Sequence, residues 1–161
     1  MTGTATGTAA SATTIFNLVV SSGCPVTTAL AEAPDGKAKL AVLYDFRDRV
    51  LARTPSGQRY VSLFYKHAAE GVWLMLRSPD LRASSLALLE RFLPTLRAVL
   101  AGRPAALTAA DLASVDSLLG AFATKARPGL RADITAVRQE LREGAVLKNL
   151  GITIGERNPT R

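Results

Sequence analysis

From Lys37 onward the apolar residues of this chain return every three or four positions, and proline- and glycine-containing breaks cut the pattern into helix-length segments. A helical period sustained over so much of the chain predicts an all-α fold. The expected architecture is about five helices in one bundle-like domain over residues 24–161, preceded by a flexible leader and one short strand in residues 1–23. At 161 residues the chain can build one proper core, and two independent cores are not expected.

The first helix is expected from Gly36 to Arg53, with Leu40, Leu43, Tyr44, Val50 and Leu51 at helical spacing, and Thr54-Pro55-Ser56-Gly57 ends it. A second helix from Gln58 to Arg77 carries Val61, Phe64, Tyr65, Ala68, Val72 and Met75 on one face and is the candidate for the centre of the core. Ser78-Pro79 opens a third helix that runs to about Ala101, with Leu81, Leu88, Leu89, Phe92, Leu96, Val99 and Leu100 as its buried stripe and a kink at Pro94. Thr108 with Asp111 three positions on is a capping-box pattern for the fourth helix, whose apolar face is Leu112, Val115, Leu119 and Phe122. After Arg127-Pro128-Gly129, Leu130, Ile134, Val137 and Leu141 define an amphipathic fifth helix ending near Gly144, and the tail from Gly151 is expected to fray.

The N-terminal part has a different texture. Met1 to Thr13 mixes Thr, Ala, Gly and Ser without a periodic apolar face, which predicts a flexible leader. Thr14 to Val20 is β-branched and aromatic and reads as one strand, stopped by Ser21-Ser22-Gly23. Whether it pairs with a neighbouring molecule, lies across the helices or does not form is open.

Charge and composition exclude several function classes. The net charge is +7, from 20 basic and 13 acidic residues, but the arginines are scattered singly along helical segments rather than gathered in a block. Nucleic acid is therefore not the expected partner; an anionic surface stays open, and a protein partner or a second copy of the chain is favoured. Apolar runs such as Val72 to Leu76 are far too short to span a bilayer. One cysteine allows neither an internal disulfide nor a cysteine-rich metal site. No Gly-rich phosphate loop, paired-histidine motif or serine nucleophile elbow is present, so no cofactor or metal is expected and an enzyme is not the favoured reading.

Two residues carry what catalytic potential there is. Cys24 stands at the boundary before the helices, where a thiol can become a nucleophile, although a small buried hydrophobe is the commoner role. His67 is the sole histidine and thus the sole imidazole base for it; a surface or hydrogen-bonded histidine is the simpler reading. Asp45 and Asp48 interleave with Arg47, Arg49 and Arg53, which predicts ion pairing rather than acid-base chemistry. Trp73 sits among Leu74, Met75 and Leu76 on a segment apolar nearly all round, so it belongs either to the core, the favoured expectation, or to a partner surface.

Cys24-Pro25-Val26-Thr27-Thr28-Ala29, Phe46-Arg47-Asp48-Arg49, Phe64-Tyr65 and Pro79-Asp80-Leu81-Arg82, in this order and spacing, resemble the bacterial CFI-box C-terminal domain over roughly Cys24 to Ala101. Pro25 stands where that family has phenylalanine, the box's Tyr-Gly is absent at Ala31-Glu32, and Ala68-Ala69 replaces a frequent Ser-Pro, which would straighten the second helix. The resemblance implies an exported or cell-surface module for processing, anchoring or association, although the sequence before Cys24 lacks the basic start of a signal peptide. It adds Phe46, Arg47, Asp48, Phe64 and Tyr65 to Trp73 as interaction candidates. The expected function is therefore a non-enzymatic helical interaction, attachment or processing module with Cys24 at its boundary. A structural subunit associating through the apolar second helix or the N-terminal strand is the alternative, followed by a cysteine-dependent self-processing or hydrolase domain.

Overall fold

The computed structural model describes residues 24–30, 33–144, 147–148 and 150–155. The leader and the strand expected at Thr14 to Val20 lie outside the described residues. Among the described residues the chain forms seven helices and one two-stranded parallel sheet. In order these are α1 (Pro25–Leu30), α2 (Gly36–Arg49), α3 (Pro55–Lys66), α4 (Ala68–Arg77), α5 (Pro79–Leu100), β1 (Ala105–Leu107), α6 (Ala109–Lys125), α7 (Pro128–Glu143) and β2 (Ile152–Ile154). A 3-10 turn at Leu51–Arg53 links α2 to α3. The fold is predominantly all-α, as the period predicts.

Proline starts much of this structure. Pro25, Pro55, Pro79 and Pro128 are the first residues of α1, α3, α5 and α7, where the fixed φ suits the helix and the missing N–H costs nothing. Ahead of α3, the Thr54 hydroxyl accepts a hydrogen bond from the Gly57 N–H at 3.0 Å. Gly57 is obligatory there, because a Cβ would lie 2.2 Å from the Leu51 carbonyl oxygen of the 3-10 turn. The capping box forms as expected: Thr108 Oγ1 accepts from the Asp111 N–H, and Asp111 Oδ2 accepts from the Thr108 N–H at 2.8 Å. Helix α5 continues through Pro94 with no break in the helix.

The second expected helix is two helices. His67 leaves helical geometry at φ −109° and ψ 9°, and its N–H is shared between the Leu63 and Tyr65 carbonyls. The break lets Lys66 and His67 both reach Asp133 on α7 while α4 turns Val72, Leu74 and Met75 into the interior. Side-chain bonding to a distant helix has overridden a helical sequence pattern.

Two apolar clusters make the core. The first joins Leu74 of α4 and Leu81 of α5 to Ala126, Leu130 and Ile134 around the α6–α7 turn, with Leu119 and Phe122 packed against them. The second joins Leu107, Leu147 and Ile152, flanked by Phe92, Val99, Leu112 and Leu141. Its frame is the sheet, in which β1 and β2 run parallel with Ala105 opposite Ile152 and Leu107 opposite Ile154. Parallel strands need a long crossover; α6 and α7 supply it. The tail expected to fray from Gly151 is thus pinned through Ile154, and the Gly155 N–H donates to the Leu107 carbonyl at 3.0 Å.

Trp73 is not core. Its ring is 46% exposed on the outer face of α4, with the Arg77 guanidinium 4.7 Å from the ring centroid. Phe64 and Tyr65, also expected on the buried face, are exposed as well.

Candidate binding site

Two apolar pockets lie on either side of Val26, Tyr60 and Phe64, which line both. The smaller, about 270 Å³, is built where α1 and α3 meet α2. Cys24 comes from just before α1 and Val26 from its first turn, Leu40, Leu43, Tyr44, Phe46 and Arg47 from α2, and Tyr60, Val61, Phe64 and Tyr65 from α3. Spacing explains the α2 and α3 contributions, since residues three and four apart share a helix face. The Phe64 and Tyr65 rings meet edge to face at 5.6 Å between centroids.

Arg47 organises the polar edge of this pocket. Its guanidinium bonds Asp48 at 2.6 Å and the Tyr65 hydroxyl at 2.6 Å, and lies 4.8 Å from the Tyr44 ring centroid. The Asp48 bond, then the Tyr65 bond, raise the guanidinium pKa further, so it is a permanent cation. The Asp48 carboxyl is held below its usual range by Arg47. Cys24 is half-buried, and its carbonyl accepts from the Thr28 N–H at 3.1 Å and the Thr27 hydroxyl at 2.7 Å, which anchors the first turn of α1.

The larger pocket, about 390 Å³, lies between α1, the α3–α4 break and the α5–α6–α7 layer. Pro25, Leu63, Met75, Leu89, Phe122 and Val137 are among its apolar walls, and Tyr60, His67, Ser85 and Asp133 are its polar members. His67 Nε2 and Lys66 Nζ each lie 2.7 Å from Asp133 Oδ2, and these bonds, His67 first, hold the carboxyl below its usual range. The Tyr60 hydroxyl donates to Glu140, which also takes Arg59. Burial first, and then this bond to Glu140, push Tyr60 up to about 12.

The structure therefore brings Cys24, Phe46, Arg47, Phe64 and Tyr65 around one pocket, with Asp48 attached through Arg47. It does not bring Cys24 to His67: the histidine lines the other pocket and its Nε2 faces Asp133. Ser85 shares the larger pocket with His67 and Asp133, but its hydroxyl donates to the Leu81 carbonyl at 2.8 Å. Trp73 lines neither pocket. Tyr60, Asp133 and Glu140 are the site residues that sequence reasoning missed. Partners 80 positions apart, such as Tyr60 and Glu140, leave no local spacing to read.

Several of the scattered cations pair across the fold: Lys39 with Glu90, Arg59 with Glu140, Arg91 with Asp111, and Arg138 and Arg142 with Asp116. Among the described residues, no group of three or more His, Cys, Asp or Glu is placed to hold a metal, and no helix is long and apolar enough to cross a membrane. The fold is a helical one that carries two apolar pockets side by side. No family model, curated protein or solved structure matches the chain.

Proposed function

We propose that this chain is a non-enzymatic helical interaction module, of the processing, anchoring or association kind that the CFI-box resemblance implies, which receives an apolar side chain of a protein partner beside Cys24. The observation that carries this reading is the gathering of Cys24, Phe46, Arg47, Phe64 and Tyr65 from α1, α2 and α3 around one apolar pocket. Aromatic and arginine side chains on an exposed apolar surface are the composition of binding hot spots. Tyr65 is 52% exposed and Phe64 is exposed beside it, so a partner would bury area that water now covers.

Thiol labelling of the native protein, against a Cys24→Ser control, tests the reading. Cys24 is expected to react in the folded state, and more slowly once a partner or an added apolar peptide occupies the pocket. A thiol that reacts only after unfolding refutes the docking geometry.

A second reading rests on a separate observation. Trp73 and Leu76 are both exposed on the outer face of α4, which supports a structural subunit associating through that helix. Sedimentation should then show concentration-dependent self-association that Trp73→Ser abolishes; a strict monomer removes this reading.

A further inference from the structure

We propose that the 390 Å³ pocket is a binding site for an uncharged aliphatic small molecule of the medium-chain alcohol class, with its hydrocarbon chain among the apolar walls and its hydroxyl at Ser85. This site adjoins the pocket beside Cys24, with which it shares Val26, Tyr60 and Phe64. Its volume falls within the roughly 300–1,000 Å³ typical of small-molecule sites. The pocket is partly open to solvent, and water ordered inside it would need about two to four polar partners. Walls such as Leu63, Met75, Leu89, Phe122 and Val137 offer none. The space suits hydrocarbon better than solvent.

The polar lining selects the head group. Tyr60 and Ser85 each carry one hydroxyl proton, and both protons are spent, on Glu140 and on the Leu81 carbonyl. Asp133 adds a carboxylate to the wall, already bonded to His67 and Lys66. A carboxylate head would lose its hydration there, find both hydroxyl protons and the His67 Nε2 already engaged, and face the Asp133 carboxylate. The nearby cations Lys66 and Arg59 are closed onto Asp133 and Glu140, so the surroundings are charge-balanced. The Ser85 oxygen keeps accepting lone pairs, which an alcohol O–H can use.

The test uses the full chain, the neutral probe N-phenylnaphthylamine, and decanol and decanoate as competitors at neutral pH. Saturable probe fluorescence is expected, with decanol displacing the probe at about tenfold lower concentration than decanoate. Leu89→Trp and Val137→Trp, which fill the pocket from α5 and α7, should each weaken probe binding by about tenfold or more with helical circular dichroism retained. If either variant fails to fold, the other decides. A spin-labelled decanol read on the wild-type chain answers without substitution, broadening the methyl signals of Ile134 and Val137 and sparing those of Val61. The proposal is overturned by absent saturable binding, by decanoate competing as well as decanol, or by loss of binding in Leu43→Trp instead, which would move the site to the neighbouring pocket. Binding that emerges only in Phe16→Asp overturns it too, because the chain's own apolar stretch would then be the occupant.

Discussion

Replacing Asp111 by alanine should be among the most damaging single changes away from the leucine core. The carboxylate is 1% exposed at the start of α6. Its Oδ2 accepts from the Thr108 N–H at 2.8 Å and the Thr108 hydroxyl at 2.7 Å, and its Oδ1 accepts from Arg91 Nε at 2.6 Å. Losing a capping interaction costs about 1 kcal/mol. The Arg91 bond adds about 1 kcal/mol, a figure kept low because that side chain is 42% exposed and screened. The Thr108 hydroxyl, which also donates to Oδ2, loses its acceptor as well and adds roughly 1 kcal/mol more. The sum, about 3 kcal/mol, corresponds to a fall in Tm of roughly 6–12 °C for a domain of this size. Thermal melts followed by circular dichroism at neutral pH measure it.

The pH dependence provides a second readout for the same residue. Burial alone would raise the Asp111 pKa, but the Thr108 donors and Arg91 outweigh it and hold the carboxyl below 3.8. A carboxyl depressed by folding stabilises the fold above its unfolded pKa and loses that contribution as pH falls through the folded value. The gap in Tm between wild type and Asp111→Ala should therefore be full at neutral pH and close below about pH 4. A fall in Tm under about 2 °C, or a gap that widens in acid, refutes the assignment of this network as a stabilising cap.

Four further outcomes are expected. Val72→Ala, at a site 1% exposed, should cost about 2 kcal/mol, whereas Trp73→Ala next to it should cost under about 1 kcal/mol, and paired melts compare them. Tyr60 should titrate near 12, and Glu140→Gln should lower that value; ultraviolet difference spectroscopy reads both. The Asp116 carboxyl, bonded to Arg138 and Arg142, should titrate at about 2 by carbon-detected NMR and move up in Arg138→Met, its contribution to stability being lost between pH 3.8 and about 2. Gly144→Ala should destabilise by roughly 1 kcal/mol because Gly144 ends α7 at φ 70°, and chemical denaturation measures it.

What the sequence made legible is local chemistry. The prolines of α5 and α7, the Thr108–Asp111 box and the Leu130, Ile134, Val137, Leu141 stripe act within one or two helical turns, so their signals sit next to one another. The β1–β2 pair was hidden because each strand is three residues long and its partner is 47 positions away, from Ala105 to Ile152. Orientation of α4 was hidden for a different reason. A helix apolar nearly all round has no preferred buried side in its pattern, so the break at His67, not periodicity, decides that Val72 and Met75 point in and Trp73 out.

The same break sets the limits of the site. With one continuous helix, a single face would carry Phe64 and Val72 into the same interior. Ending α3 at Lys66 separates the two tasks: α3 keeps its aromatics at the surface around the Cys24 pocket, and α4 supplies the core. His67 holds the joint through Asp133, a bond between residues 66 positions apart. Asp133→Ala should therefore free the joint without touching any residue of the Cys24 pocket. The expected result is a changed native labelling rate at Cys24, transmitted through Tyr60 and Phe64, which line both pockets. An unchanged rate in a folded Asp133→Ala protein would mean that the two pockets are mechanically independent, and that the histidine joint serves the larger one alone.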